Sequence, residues 1–255
     1  MCLYQCGSDA TSTQIYHVLP ESASNIKVTL PKGVVCDKCN AYFAELENYF
    51  VRHHPGNVHR LLRLKQTKKG KTPKLELDHG IATSEKQEDS IRVSIPLTEI
   101  TFTALENGDM QMQGESLLRS YDSEKISRVL AKIAIESLYL ASSKIGICPS
   151  HQLFADLRDY ARRGRGKQKF VWFCFKSDHY AEIPPTIAPL DAPDGTRLGL
   201  VCLITFPGIR YVFPYPPLAN ETLEMVSDDW TIVTEPGDFS VTSMKVSAHF
   251  TRVVK

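Results

Sequence analysis

No stretch of the chain approaches the run of about 18 apolar residues that a membrane-spanning helix needs, and the opening residues MCLYQCGSD lack both the basic start and the apolar run of a secretory signal. These absences point to a cytoplasmic protein with no membrane partner. Glycine-rich loops of Walker or Rossmann spacing are also missing, so neither ATP nor a nicotinamide cofactor is implied. Internal repeats are absent. Charge excess is missing too: 30 Lys and Arg face 29 Asp and Glu, a net charge of +1 that neither favours nor excludes a polyanion. With 42% hydrophobic and 23% charged residues, the composition excludes disordered and fibrous classes and little else. A length of 255 residues suffices for a substantial core, and we expect two domains rather than one.

What the chain does have is cysteine in an uneven distribution. Of its 7 cysteines, Cys2, Cys6, Cys36 and Cys39 fall near the start, while Cys148, Cys174 and Cys202 are scattered among apolar residues. A thiol in runs such as FVWFCF or GLVCLITF behaves as a small buried hydrophobe. The early four form two close pairs, Cys2-Leu-Tyr-Gln-Cys6 and Cys36-Asp-Lys-Cys39. In a reducing compartment such pairs read as metal ligands before disulfides, and four thiolates suit a tetrahedral structural zinc site. The alternative is free thiols in a small core. A module of roughly 50 residues buries too little surface to be secure alone, and zinc would supply the missing folding energy.

Periodicity predicts a short strand carrying His17, a weak strand over Lys27 to Leu30, and a helix through CDKCNAYFAELENYFVRHHPG with Tyr42, Phe43, Leu46, Tyr49 and Phe50 at helical spacing. A second helix follows Asp122 and Ser123, presenting Ile126, Val129, Leu130, Ile133, Ala134, Leu138 and Leu140. A third runs from Ser150 to Gly164. IRVSIPLTEITFTAL reads as strand, and KFVWFCFK, RLGLVCLITF, IRYVFPY, WTIV and SVTSMKVSAHF read as strands of one sheet. The expected fold is α+β, with a cysteine-bearing module over 1–64, a basic linker over 65–80, and a helix-plus-antiparallel-sheet domain over 81–255.

Tyr16-His17-Val18-Leu19-Pro20-Glu21-Ser22, followed by Leu30-Pro31-Lys32-Gly33-Val34-Val35-Cys36-Asp37-Lys38-Cys39-Asn40, resembles the cysteine-flanked branch of the HNH endonuclease family. The resemblance covers residues 2 to about 50, roughly a fifth of the chain. It implies a ββα-metal fold in which the cysteines staple the elements through structural Zn2+, and Mg2+ or another divalent cation serves catalysis. It makes His17 the general base and Asn40 a ligand of the catalytic metal, in a metal-dependent hydrolase of DNA phosphodiesters. An imidazole accepts a proton from water near neutral pH, while a divalent ion screens the phosphate. The family usually places Asp or Glu immediately before the histidine; this chain has Tyr16. Glu21, Glu45 or Glu47 are the available replacements; otherwise the module binds nucleic acid without cutting it. DNA is the implied partner ahead of RNA, in the bacterial setting of restriction or phage defence, with a homodimer or a partner protein of a defence system as further options.

Between Arg52 and Lys74 the chain carries Arg52, Arg60, Arg63, Lys65, Lys68, Lys69, Lys71 and Lys74 with no acidic residue, and Arg162, Arg163, Arg165 and Lys167 form a second cluster. Such cations can track a phosphate backbone. They also suit a solvated linker and a helix C-terminus. His53, His54 and His59 read as surface residues rather than a second metal site, and Tyr211 and Phe213 as core.

Overall fold

The computed structural model describes residues 2–7, 12–23, 26–53, 74–77, 80–84, 91–94, 100–104, 110–116, 122–145, 152–164, 170, 172–176, 183–191, 196–206, 209–215, 231–233 and 244–250. Two short strands come first, β1 (Tyr16–His17) and β2 (Thr29–Leu30), paired antiparallel with Tyr16 opposite Leu30 and His17 opposite Thr29. Helix α1 (Asp37–His53) follows, with Cys39, Phe43, Leu46 and Phe50 buried along one face. Asp37 in its first turn and Arg52 and His53 in its last oppose the helix dipole. The order strand, strand, helix is that of the expected ββα arrangement.

Helix α2 (Ser123–Ile145) begins where Asp122 Oδ1 accepts from the Lys125 main-chain N–H at 3.1 Å, a side-chain cap. Ile126, Val129, Leu130, Ile133 and Leu138 are buried as the periodicity predicts. So are Ala131, Lys132, Ile135 and Glu136, because α2 is covered by α1, by α3 (Ala155–Arg163) and by a sheet. Helix α3 is preceded by a 3-10 turn at Gln152–Phe154. It ends at Gly164, whose φ of 65° and N–H bond to the Tyr160 carbonyl make the left-handed terminus expected there.

The large sheet has the order β12-β8-β11-β10-β9, from β8 (Trp172–Lys176), β9 (Ile183–Asp191), β10 (Arg197–Phe206), β11 (Ile209–Tyr215) and β12 (Thr231–Val233). All its pairings are antiparallel. Four of these strands match the expected runs. The fifth expected one, β13 (Met244–Phe250), pairs instead with β7 (Met110–Ser116), which also pairs with β6 (Ile100–Ala104). A further sheet joins β3 (Lys74–Leu77), β4 (Gly80–Ser84) and β5 (Ile91–Ser94). Strand β9 escapes the sequence pattern because it contains Pro184, Pro185 and Pro189. Proline cannot donate to a ladder, and β9 is tolerated as an edge strand.

The chain divides into two compact units, and the division differs from the expected one. Residues 1–59 belong with 122–239, while 60–121 and 240–255 form the other unit. The physical reason is burial: the apolar face of α1 meets the large sheet, with the Phe50 ring 5.8 Å from Phe206 and 5.9 Å from Tyr211. Tyr211 and Phe213 are fully buried, as is Cys202, whose thiol burial pushes up to about 12. Cys148 lies outside the described residues. Among the described residues no helix is long and apolar enough to cross a membrane.

Candidate metal centre and His17

The two cysteine pairs converge. Cys2 lies in a turn tied to the second pair by the bond from Leu3 N–H to the Val34 carbonyl, 2.8 Å. Cys36 precedes α1 and Cys39 sits in its first turn, so the start of the helix carries one pair as a rigid unit. All four sulfurs lie within 4.8 Å of one another, Cys6 to Cys36 at 3.3 Å and Cys2 to Cys39 at 3.9 Å. None is joined in a disulfide. Sulfurs each about 2.3 Å from a common tetrahedral ion stand about 3.8 Å apart, and these separations bracket that value.

Thiolate-directed donors surround the sulfurs. Main-chain N–H groups of Cys36 and Tyr4 donate to Cys2, and that of Cys39 donates to Cys36. Arg162 on α3 donates toward Cys39 while its guanidinium lies 3.8 Å from the Tyr42 ring centroid. By themselves Cys2, Cys36 and Cys39 ionise unequally. The hydrogen bond between Cys2 and Cys39 pulls Cys2 down to about 4; the same bond, then burial, pushes Cys39 up; burial raises Cys36. One divalent ion removes that conflict by accepting all four as thiolates, and the soft donor set with no carboxylate fits zinc.

His17 ends β1, and its Nε2 stands 2.9 Å from Glu21 Oε1, both side chains partly open to solvent. Asn40 lies in the first turn of α1, where its Nδ2 donates to Gln14 Oε1 at 3.4 Å. Glu45 is exposed on α1. Among the described residues, the four cysteines are the one group of three or more His, Cys, Asp or Glu side chains close enough to hold an ion. Glu21, Glu45 and His17 do not gather into a second such set. Tyr16, at the position where the family has an acid, is buried.

Beside β1 lies a cluster that sequence reasoning missed. Lys132 of α2 is fully buried. Its Nζ donates to the main-chain carbonyls of His17 and Val18, each at 2.8 Å, and lies 2.6 Å from Glu47 Oε1 and 3.1 Å from Glu136 Oε2. Tyr4 donates its hydroxyl to Glu136 Oε1 at 2.5 Å, and the Tyr16 ring lies 4.8 Å below the ammonium. Burial opposes the charge on Lys132, but Glu136 and Glu47 outweigh it and its pKa is raised. Burial pushes Glu136 up to about 7 despite Lys132, and burial with the Glu136 field raises Tyr4 and Tyr16 well above the usual phenol range. The signal was present: Lys132 and Glu136 occupy the same inward stripe of α2 as Val129 and Ile133.

Of the expected nucleic-acid contacts, Arg52, Arg162 and Arg163 lie among the described residues. Arg52 is exposed at the end of α1, and Arg163 is exposed and ion-paired with Asp159. Arg162 faces Tyr42 and the cysteines rather than open solvent. Arg60, Arg63, Lys65, Lys68, Lys69 and Arg165 lie outside the described residues, as do His54 and His59. Comparison with protein-family models, with curated proteins and with solved structures gives no match for this chain.

Proposed function

We propose that this protein is a zinc-stapled module of the HNH type that acts on nucleic acid, with His17 as its base. The observation that carries the reading is a strand-strand-helix unit whose four cysteine sulfurs converge, with an imidazole-carboxylate pair at the end of the first strand. Cys2, Cys6, Cys36 and Cys39 would hold Zn2+, which supplies folding energy rather than chemistry. As water attacks the phosphorus of a DNA phosphodiester, His17 would accept its proton while the P–O bond to the leaving sugar oxygen breaks and that oxygen takes a proton from solvent; Glu21 would orient the ring and stabilise the imidazolium that results. Arg52 and the basic tract beyond it offer charge to the phosphate backbone. Among the described residues no second group of three or more His, Cys, Asp or Glu side chains lies close enough to hold an ion; a divalent cation from solution would screen the phosphate and stabilise the leaving oxygen.

A second reading has its own support. The burial of Tyr16 and the absence of a second ligand group among the described residues favour a module that binds nucleic acid without cutting it. Purified protein incubated with supercoiled plasmid and Mg2+, Mn2+ or Ni2+, beside His17→Ala, separates the two. Nicking lost in the variant supports the first reading. Equal nicking by both proteins removes His17 from the mechanism, and a salt-sensitive gel shift without nicking favours the second.

A further inference from the structure

A lysine ammonium has three N–H donors, and that of Lys132 has four acceptors within 3.1 Å. One belongs to His17, the last residue of β1, and another to Val18, the residue after it. Successive carbonyls of an extended strand point to opposite sides, so the His17 and Val18 carbonyls reach one nitrogen only because the chain bends as β1 ends. The rest of the bend is local: Val18 N–H still donates to the Val28 carbonyl at 2.9 Å, and Ala23 N–H closes a turn on the Pro20 carbonyl at 2.8 Å. That turn carries Glu21 back to within 2.9 Å of the His17 ring. Glu47 from α1 and Glu136 from α2 fix the ammonium from the other side, and Tyr4, between the first two cysteines, holds Glu136 in turn.

We propose that Lys132 is a positioning residue for His17: by gripping two successive carbonyls it sets the bend that brings Glu21 onto the imidazole. The cluster of Lys132, Glu47, Glu136 and Tyr4 thereby links the cysteine knuckle, both helices and the reactive strand through one nitrogen. This inference rests on the reading of His17 as the base, but it makes a claim about the ring that does not depend on cleavage.

The test compares zinc-loaded wild type with Lys132→Met, and with Leu130→Ala as a control for disturbing the core face of the same helix without removing a donor to the His17 and Val18 carbonyls. His17 ring signals, assigned by their loss in His17→Gln, are followed by NMR alongside plasmid nicking and zinc content. Lys132→Met should keep its zinc, shift the His17 ring signals and lower kcat by roughly 100-fold at unchanged KM, since a misplacement of about 1 Å has that effect. Leu130→Ala should leave the ring signals in place. Unchanged ring signals in Lys132→Met, or equal shifts in Leu130→Ala, overturn the inference. If Lys132→Met does not fold, Glu47→Gln, which loosens the ammonium from a partly exposed side, is measured in its place and decided by the same signals. If wild type does not nick DNA, the cleavage reading fails while the ring signals still decide the role of Lys132.

Discussion

Two clusters of negative charge sit in the same unit and are resolved in opposite ways. The cysteine knuckle gathers four acidic sulfurs and contains no cation able to neutralise them all; Arg162 reaches one. The Glu47-Glu136 pair carries its own counterion in Lys132, buried with it. One arrangement is suited to take its charge from a metal ion in solution, and the other builds it into the chain. The difference teaches where each is vulnerable: the first to anything that competes for an ion or protonates a thiolate, the second to loss of one charged side chain.

Removing the ion should break the contrast most severely. A strong chelator at neutral pH, or Cys39→Ser, should melt α1 and the β1-β2 pairing, since structural zinc contributes on the order of 10 kcal/mol in small modules. Elemental analysis and far-UV circular dichroism check this, and a folded, zinc-free protein would show that sulfur packing alone suffices. Next comes Lys132→Met, which removes the buried counterion shared by Glu136 and Glu47. It should cost about 3–5 kcal/mol in urea unfolding, while Lys132→Met with Glu136→Met should recover much of that loss. A double variant as unstable as the single one would mean that the cluster is not acting as a charge pair.

Acidity sharpens the comparison because the clusters respond with opposite sign. Glu136 has its folded pKa raised from 4.5 to about 7, so the folded state binds more protons than the unfolded one across that window. Its contribution is therefore most favourable below pH 4.5 and is lost as pH rises toward 7, by about 1.4 kcal/mol per pH unit at most. Thiolate ligation runs the other way, weakening as pH falls. Unfolding midpoints of Glu136→Gln and wild type between pH 5 and 7.5 should show a steeper rise with pH in the variant. Parallel curves would remove Glu136 from the balance. The smallest effect is expected from Arg162→Gln, which gives up the contacts to Tyr42 and Cys39 and should cost about 1 kcal/mol; the shift in thermal midpoint measures it.

The same contrast explains what could be read from the sequence. Ligation by cysteine leaves a spacing signature, because each pair must come from one tight turn, and Cys2, Cys6, Cys36 and Cys39 announced their meeting. Helices α1 and α2 were legible for a similar reason: apolar residues repeat at 3- and 4-residue intervals along one face. A buried ion pair leaves no such pattern. Lys132 is one charge inside an apolar stripe, and its partner Glu47 comes from another helix far away in sequence. Strand pairing was hidden likewise, since nothing local tells β13 to leave the large sheet for β7. The division into units could not be inferred from composition, because the basic tract looks like a boundary whether the chain later returns or not.

That return has a consequence for synthesis. The four cysteines emerge from the ribosome long before residue 132 does, and at 5 to 20 residues per second the interval is on the order of ten seconds. During it the nascent chain can capture its ion, but β1 has nothing to hold its bend and Glu47 has no counterion. If His17 is the base, its placement therefore comes late, only once α2 has arrived, and a fragment ending before that helix would keep its cysteine pairs with the histidine unplaced.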